Sequence, residues 1–241
     1  MRILVLGAGQ GGTCLLVEAV RGLDLVEFSR FVEDRMFFSY KTLPENYGTK
    51  LTTDSIGGID IDNFSNFPKA VLQRIGKYPD LHIVFSLRHP VDIFMSQIVR
   101  GQKPSRGGNG TAEKSSETGS PKGSLLAIAH FFNVYENIIK NFSDRTLSIR
   151  MEDLVMKPRR TVRKIARHFG VKPTKRAYEF YKYNRNFFQQ ERYGGRLDKS
   201  VVAIHQKWQT WNGGFFKHRK LMLSVAKDLL ADVIAKLGYE S

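Results

Sequence analysis

The sequence predicts an α/β fold with a mainly parallel central sheet flanked by helices. Three observations carry that prediction. Arg2–Leu6 and His82–Leu87 are short, almost continuously apolar runs, the character of strands buried on both faces. Each runs through a brief turn into a helix-like segment, Cys14–Val20 after the first and about Val91–Ile98 after the second. The chain of 241 residues is 41% hydrophobic and 25% charged, enough for a substantial core and against wholesale disorder. Strands alternating with helices imply parallel pairing, and the length favours one domain over residues 1–241.

The elements follow in order. After the first strand and helix, a second strand is expected near Leu25–Phe28, then an aromatic-rich irregular stretch over Phe31–Tyr47. Asn66–Ile75 reads as a helix, with Phe67, Ala70, Val71 and Ile75 on its apolar stripe. Pro90 suits the first turn of the helix that follows the His82–Leu87 strand. In Gly101–Ser124, 13 of 24 residues are Gly, Ser or Pro, which predicts a flexible insertion or a lid over a substrate. Leu125–Asn141 is a helix, Thr146–Arg150 a third strand, and Thr161–Phe169 a basic helix stopped by Gly170. A last helix over Leu221–Leu237 closes on Gly238, and no internal repeat is visible.

Charge narrows the function classes. Lys and Arg number 38 against 23 Asp and Glu, a net charge of +15, which favours an anionic partner. Lys157–Arg176 alone holds nine Lys or Arg and no acid; on a helix this is a solvated face or a surface that attracts an anionic acceptor such as an acidic glycan. No helix-turn-helix, zinc-finger or RNP pattern accompanies it, so no nucleic acid is expected. Cys14 is the single cysteine, which excludes an internal disulfide and a Cys-based zinc site and suits a reducing, cytoplasmic setting. No metal is expected. No run approaches 18 apolar residues, so no transmembrane segment is expected, and Met1–Leu6 is too short for a secretory signal.

The turn Gly7-Ala8-Gly9-Gln10-Gly11-Gly12-Thr13 joins a strand to a helix. Unpaired N–H groups and the positive end of the helix dipole meet there, and glycines let an anion approach the backbone closely. Gly7, Gly9 and Gly12 also fit G-x-G-x-x-G, the dinucleotide fingerprint, whose acidic partner could only be Glu27, 15 residues past Gly12. A nicotinamide- or flavin-binding oxidoreductase therefore stays open at this point. No lysine precedes Thr13, which disfavours a Walker A loop and ordinary ATP hydrolysis.

Two further segments point elsewhere. Arg88 stands where a buried strand ends, the edge at which open α/β sheets bind ligands, and Ser96 lies eight residues on in the next helix. An arginine fork with a serine hydroxyl suits a phosphate. Leu147-Ser148-Ile149-Arg150-Met151-Glu152-Asp153-Leu154 then leads through Pro158 into a helix ending at Phe169-Gly170, and the chain closes on Leu237-Gly238-Tyr239. Taken with the Gly12-Thr13 turn, these segments resemble the sulfotransferase family, enzymes with a P-loop-like α/β fold that use 3′-phosphoadenosine 5′-phosphosulfate (PAPS). The likeness spans most of the chain in the right order.

That resemblance implies roles. Gly9, Gln10, Gly11, Gly12, Thr13 and Cys14 would wrap the 5′-phosphosulfate, and Arg88 with Ser96 would hold the 3′-phosphate. Arg196 and Lys199, in a basic glycine-rich loop, would add to the 3′ side, with Lys207 a weaker candidate and Trp208 or Phe188 stacking the adenine. Where the family carries Lys or Arg two residues before its Gly-Thr, this chain has Gln10, which brings no charge to the leaving oxygen. Lys50, in Tyr47–Thr52, lies in a stretch resembling a segment with an active-site lysine and is a substitute cation. Glu33 is the expected general base, with Asp34 adjacent and His82, His89, His130, His168, His205 and His218 as competitors; His82, at a strand start, reads as structural. The expected activity is sulfuryl transfer to a hydroxyl or amine acceptor, a glycan or a small molecule. A nucleotide-binding relative without turnover is the alternative that Gln10 raises.

Overall fold

A computed structural model describes residues 1–9, 11–28, 37, 40–52, 67–101, 121–183, 224 and 227–239. β1 (Arg2–Gly7) lies at the centre of a five-stranded sheet whose pairings are all parallel. On one side of it come β3 (Tyr47–Thr52) and then β2 (Glu27–Phe28); on the other come β4 (Leu81–Leu87) and then β5 (Thr146–Arg150). Gly7 is level with Thr52 of β3 and Ser86 of β4, so three neighbouring strands finish together.

The apolar runs form strands because both faces of the sheet are covered. Side chains alternate across a strand. Leu4 and Leu6 of β1 join Ile83 and Phe85 of β4 in one core, while Ile3 and Val5 join Val84 in the other. The second core is closed by α1 (Thr13–Arg21), α5 (Met151–Met156), α6 (Pro158–His168) and α7 (Lys175–Tyr178), the first by α2 (Phe67–Gly76), α3 (Pro90–Gly101), α4 (Pro121–Phe142) and α8 (Ala231–Lys236). The helix after β1 thus covers one face and the helix after β4 the other. The chain leaves these adjacent strands in opposite directions, which opens a crevice at their carboxyl ends.

β5 matches its expected span, and Gly170 (φ 67) follows α6 as the expected stop. Three differences have physical causes. β3 was not expected as a strand: Tyr-Gly-Thr-Lys-Leu-Thr looks polar, yet all six residues are buried, with Gly48–Thr52 paired to β1 and Tyr47 and Gly48 also to β2. The expected insertion over Gly101–Ser124 is shorter, because α3 runs on to Gly101 and α4 begins at Pro121, with Ser124 wholly buried; residues 102–120, and with them the expected lid, lie outside the described residues. The single helix expected over Leu221–Leu237 is interrupted, since a turn at Leu230 separates α8 from the helical residues 227–229.

Candidate active site

The glycine turn is built around Gly12. Its φ of 85° and ψ of 10° lie in the left-handed region, which a β-carbon disfavours, and a β-carbon there would also collide with the Met151 thioether. Gly12 caps α1 without a side chain, and Thr13, the first helical residue, is buried. The turn is fastened to the next strand. Ser86 Oγ, at the end of β4, donates to the Gly11 carbonyl at 2.5 Å, and Gln97 Nε2, on α3, donates to the Gly9 carbonyl at 3.2 Å.

Arg88 follows β4 immediately and is 4% exposed. Its Nη1 donates to Ser96 Oγ at 3.0 Å, so the two residues eight apart in sequence do meet. The turn between them is held by His89, which caps α3: its carbonyl accepts from the Asp92 and Ile93 N–H groups and its Nδ1 from Val91 N–H at 3.3 Å. Burial pushes the Arg88 pKa down, opposed by the Asp92 and Glu152 carboxylates and Tyr239. A guanidinium so placed gains most from an anion brought to it.

Lys50 reaches the same edge from the other side of β1. Pairing opposite Val5, it lies on the sheet face that α1 covers, is 6% exposed, and directs Nζ to Cys14 Sγ at 3.5 Å. Cys14 is the second residue of α1, so a lysine cation stands beside the positive end of that helix. An anion brought to that edge would meet both the helix N-terminus and the ammonium.

The structure therefore brings together Gly9, Gly11, Gly12, Thr13, Cys14, Lys50, Arg88 and Ser96 at the carboxyl ends of β3, β1 and β4. Gln10, Glu33, Asp34, Phe188, Arg196, Lys199, His205, Lys207, Trp208 and His218 lie outside the described residues. His82 is the second residue of β4, at the opposite, amino end of the sheet, in ring contact with His168 at 5.7 Å, and burial lowers the pKa of both. His130, buried on α4, has its pKa pushed down to about 4 by burial. Glu27 opens the edge strand β2, with β3 between it and β1, so it does not stand beside the glycine turn as the dinucleotide fingerprint requires.

Two residues escaped the sequence reading. Ser86 carries the hydroxyl that anchors the glycine turn, and its signal was a polar residue near the end of an apolar run. Gln97 is 6% exposed, and its Oε1 is buried with no hydrogen-bond partner among the described residues. Its signal was an amide immediately after Ser96 on a helix whose neighbours are apolar. Among the described residues no three His, Cys, Asp or Glu side chains come together as metal ligands, and no helix is long and apolar enough to cross a membrane.

No family model and no curated protein matches this sequence. Solved structures do share its fold. The sulfotransferase domain from the curacin biosynthetic pathway superposes with a TM-score of 0.60 over 99% of this chain and 97% of its own, at 13% identity. Mouse sulfotransferase SULT7A1, solved with PAP, gives 0.58 over 98% and 87%, also at 13% identity. The sulfotransferase domain of the Synechococcus PCC 7002 olefin synthase gives 0.57 over 100% and 96%, at 14% identity. The chain has the P-loop-like α/β fold of these sulfotransferases, the fold that the sequence resemblance implied.

Proposed function

We propose that this protein is a sulfotransferase that moves a sulfuryl group from PAPS to a hydroxyl or amine acceptor. One observation carries the reading: a glycine-turned helix N-terminus and a buried arginine lie on adjacent strand ends, hydrogen-bonded into one unit through Ser86 and Gln97. That arrangement offers two anion receivers on one crevice, as a nucleotide with phosphates at its 3′ and 5′ positions needs. The donor set fits such a ligand. The left-handed Gly12 opens the N-terminus of α1 with its backbone N–H groups, and the Arg88 guanidinium and Ser96 hydroxyl meet at the exit of the neighbouring strand.

In this reading Gly9, Gln10, Gly11, Gly12, Thr13 and Cys14 bind the 5′-phosphosulfate through backbone N–H groups and the Thr13 hydroxyl. Arg88 and Ser96 bind the 3′-phosphate, with Arg196 and Lys199 adding charge from the later loop. PAPS supplies a sulfuryl group on a phosphate leaving group. Lys50 offsets the charge that develops on the leaving oxygen, the task for which Gln10 has no charge. Glu33 takes the acceptor proton as the new S–O bond forms and the old one breaks, leaving adenosine 3′,5′-bisphosphate. The exposed cations of α6, Arg159, Arg160, Arg163, Lys164 and Arg167, suit an anionic glycan acceptor, although a small molecule fits the same chemistry. The whole chain would act as a single catalytic domain in a reducing, cytoplasmic setting.

Calorimetric titration tests the first half. Adenosine 3′,5′-bisphosphate should bind and nicotinamide dinucleotides should give no heat; the reverse rejects the assignment. Transfer of radiolabelled sulfate from PAPS to an acceptor panel tests the second half. Nucleotide binding without transfer to any acceptor would favour the reading that Gln10 raises, a binding relative without turnover.

A further inference from the structure

The segment Arg150-Met151-Glu152 and the closing Leu237-Gly238-Tyr239 have no part in the chemistry just described, yet they converge behind Arg88. Glu152 Oε1 accepts from the His89 backbone N–H at 2.9 Å, and its Oε2 accepts from the Tyr239 hydroxyl at 3.0 Å. Arg150 Nη2 donates to the carbonyls of Leu237 at 3.0 Å and Gly238 at 2.7 Å, and its guanidinium lies 4.6 Å from the centre of the Tyr239 ring. The same ring meets His89 edge to face, with centroids 5.1 Å apart. Gly238 has a φ of 69°, and a β-carbon on it would come 2.9 Å from Arg150 Nη2, so the terminal turn is shaped to let the arginine in.

Each carboxylate oxygen of Glu152 therefore has one job. One oxygen holds the backbone of the residue after Arg88; the other is held by the last helix's exit. Burial and the Glu152 charge push the Tyr239 pKa far up, which keeps the phenol a donor. We infer that Glu152 and Tyr239 are positioning residues that set the Arg88–His89 turn, and so the 3′-phosphate grip, from behind. The inference rests on the proposed nucleotide reading of Arg88. It makes the affinity for a 3′-phosphate depend on the C-terminal turn, 151 residues away from Arg88 in sequence at Tyr239.

The test compares two ligands, adenosine 3′,5′-bisphosphate and adenosine 5′-monophosphate, by calorimetry on the wild type, Glu152→Ala, Glu152→Gln and Tyr239→Phe. Glu152→Ala should weaken the bisphosphate about tenfold or more, the effect of losing a hydrogen bond to a charged group. Its affinity for the monophosphate should stay within about twofold, since the 5′ end is held by the glycine turn. Glu152→Gln, which can still accept from His89 N–H, should keep most of the bisphosphate affinity. Tyr239→Phe should fall between. A crystal structure of Glu152→Ala should show the Arg88–Ser96 contact broken. If Glu152→Ala does not fold, Tyr239→Phe carries the test by the same ligand ratio. An unchanged bisphosphate-to-monophosphate ratio in both variants, or equal losses on both ligands, overturns the positioning role while the nucleotide reading stands. A wild type that does not prefer the bisphosphate, or an Arg88→Ala variant that binds it as well as wild type, overturns the nucleotide reading and this inference with it.

Discussion

Lys50 on β3 and Arg88 just past β4 are two buried cations on either side of β1, and burial makes each depend on what it faces. Removing Arg88 should cost the 3′-phosphate a charge-assisted contact. Arg88→Ala is expected to weaken adenosine 3′,5′-bisphosphate by ~1.5–3 kcal/mol in a calorimetric titration. In the proposed reading Lys50 supplies the charge that Gln10 lacks. The ammonium by Cys14 is a charge beside the glycine turn, while position 10 holds a neutral amide. Gln10→Lys should therefore raise the sulfuryl-transfer rate, and Lys50→Met should lower kcat more than nucleotide affinity. A Gln10→Lys variant with an unchanged rate would show that Lys50 already suffices. His89 illustrates how residue type and role separate: beside Arg88 it invites a catalytic reading, yet its Nδ1 and carbonyl cap α3.

At the scale of elements, the strand–turn–helix of β1 and α1 depends on backbone as much as on side chains. Gly12 and Gly170 share the left-handed region, at φ 85 and 67, but differ in surroundings: Met151 crowds the first, while a β-carbon on Gly170 would meet open space. Alanine at either position should cost stability by about 1–2 kcal/mol, read from denaturant unfolding. Only Gly12→Ala should also weaken nucleotide binding. An equal loss of affinity at Gly170 would argue that the effect is global rather than local to the turn. β3 shows the converse dependence on context. Thr49, Lys50 and Thr52 read as polar, but β-branched threonines suit a pleated strand, and pairing with Leu4, Val5 and Gly7 of β1 decides the matter.

Among the described residues His130 is buried, and His82 and His168 are half-buried against each other at the amino end of the sheet. Burial lowers the pKa of His82, His130 and His168, that of His130 to about 4. The unfolded chain, with histidines near 6.5, binds more protons than the folded one between those values. Stability contributed by the neutral rings is thus complete above pH 6.5 and is lost as pH falls through 6.5 towards 4. The melting temperature should drop between pH 7 and pH 5, and His130→Gln should flatten that slope. The net charge of +15 adds self-repulsion that a bound polyanion relieves, so adenosine 3′,5′-bisphosphate should raise the melting temperature more than adenosine does.

Local pattern made the strand–turn–helix units legible. Ile3–Leu6, Ile83–Leu87 and Thr146–Arg150 announce burial within a few residues, glycines announce the turns, and Arg88 with Ser96 lie close enough in sequence to be paired by eye. The order of strands, the strand character of Tyr47–Thr52, the Lys50–Cys14 contact and the grip of Glu152 on His89 and Tyr239 were invisible there. Those contacts join residues 36 to 87 apart in the chain. Hydrophobic periodicity reports how one segment meets solvent, whereas the choice of neighbour is made by the packing of all segments at once. Residue types and spacing were enough to suggest an anion-binding edge; only the folding of β3 and the C-terminal turn onto that edge chose which cation and which braces stand beside it.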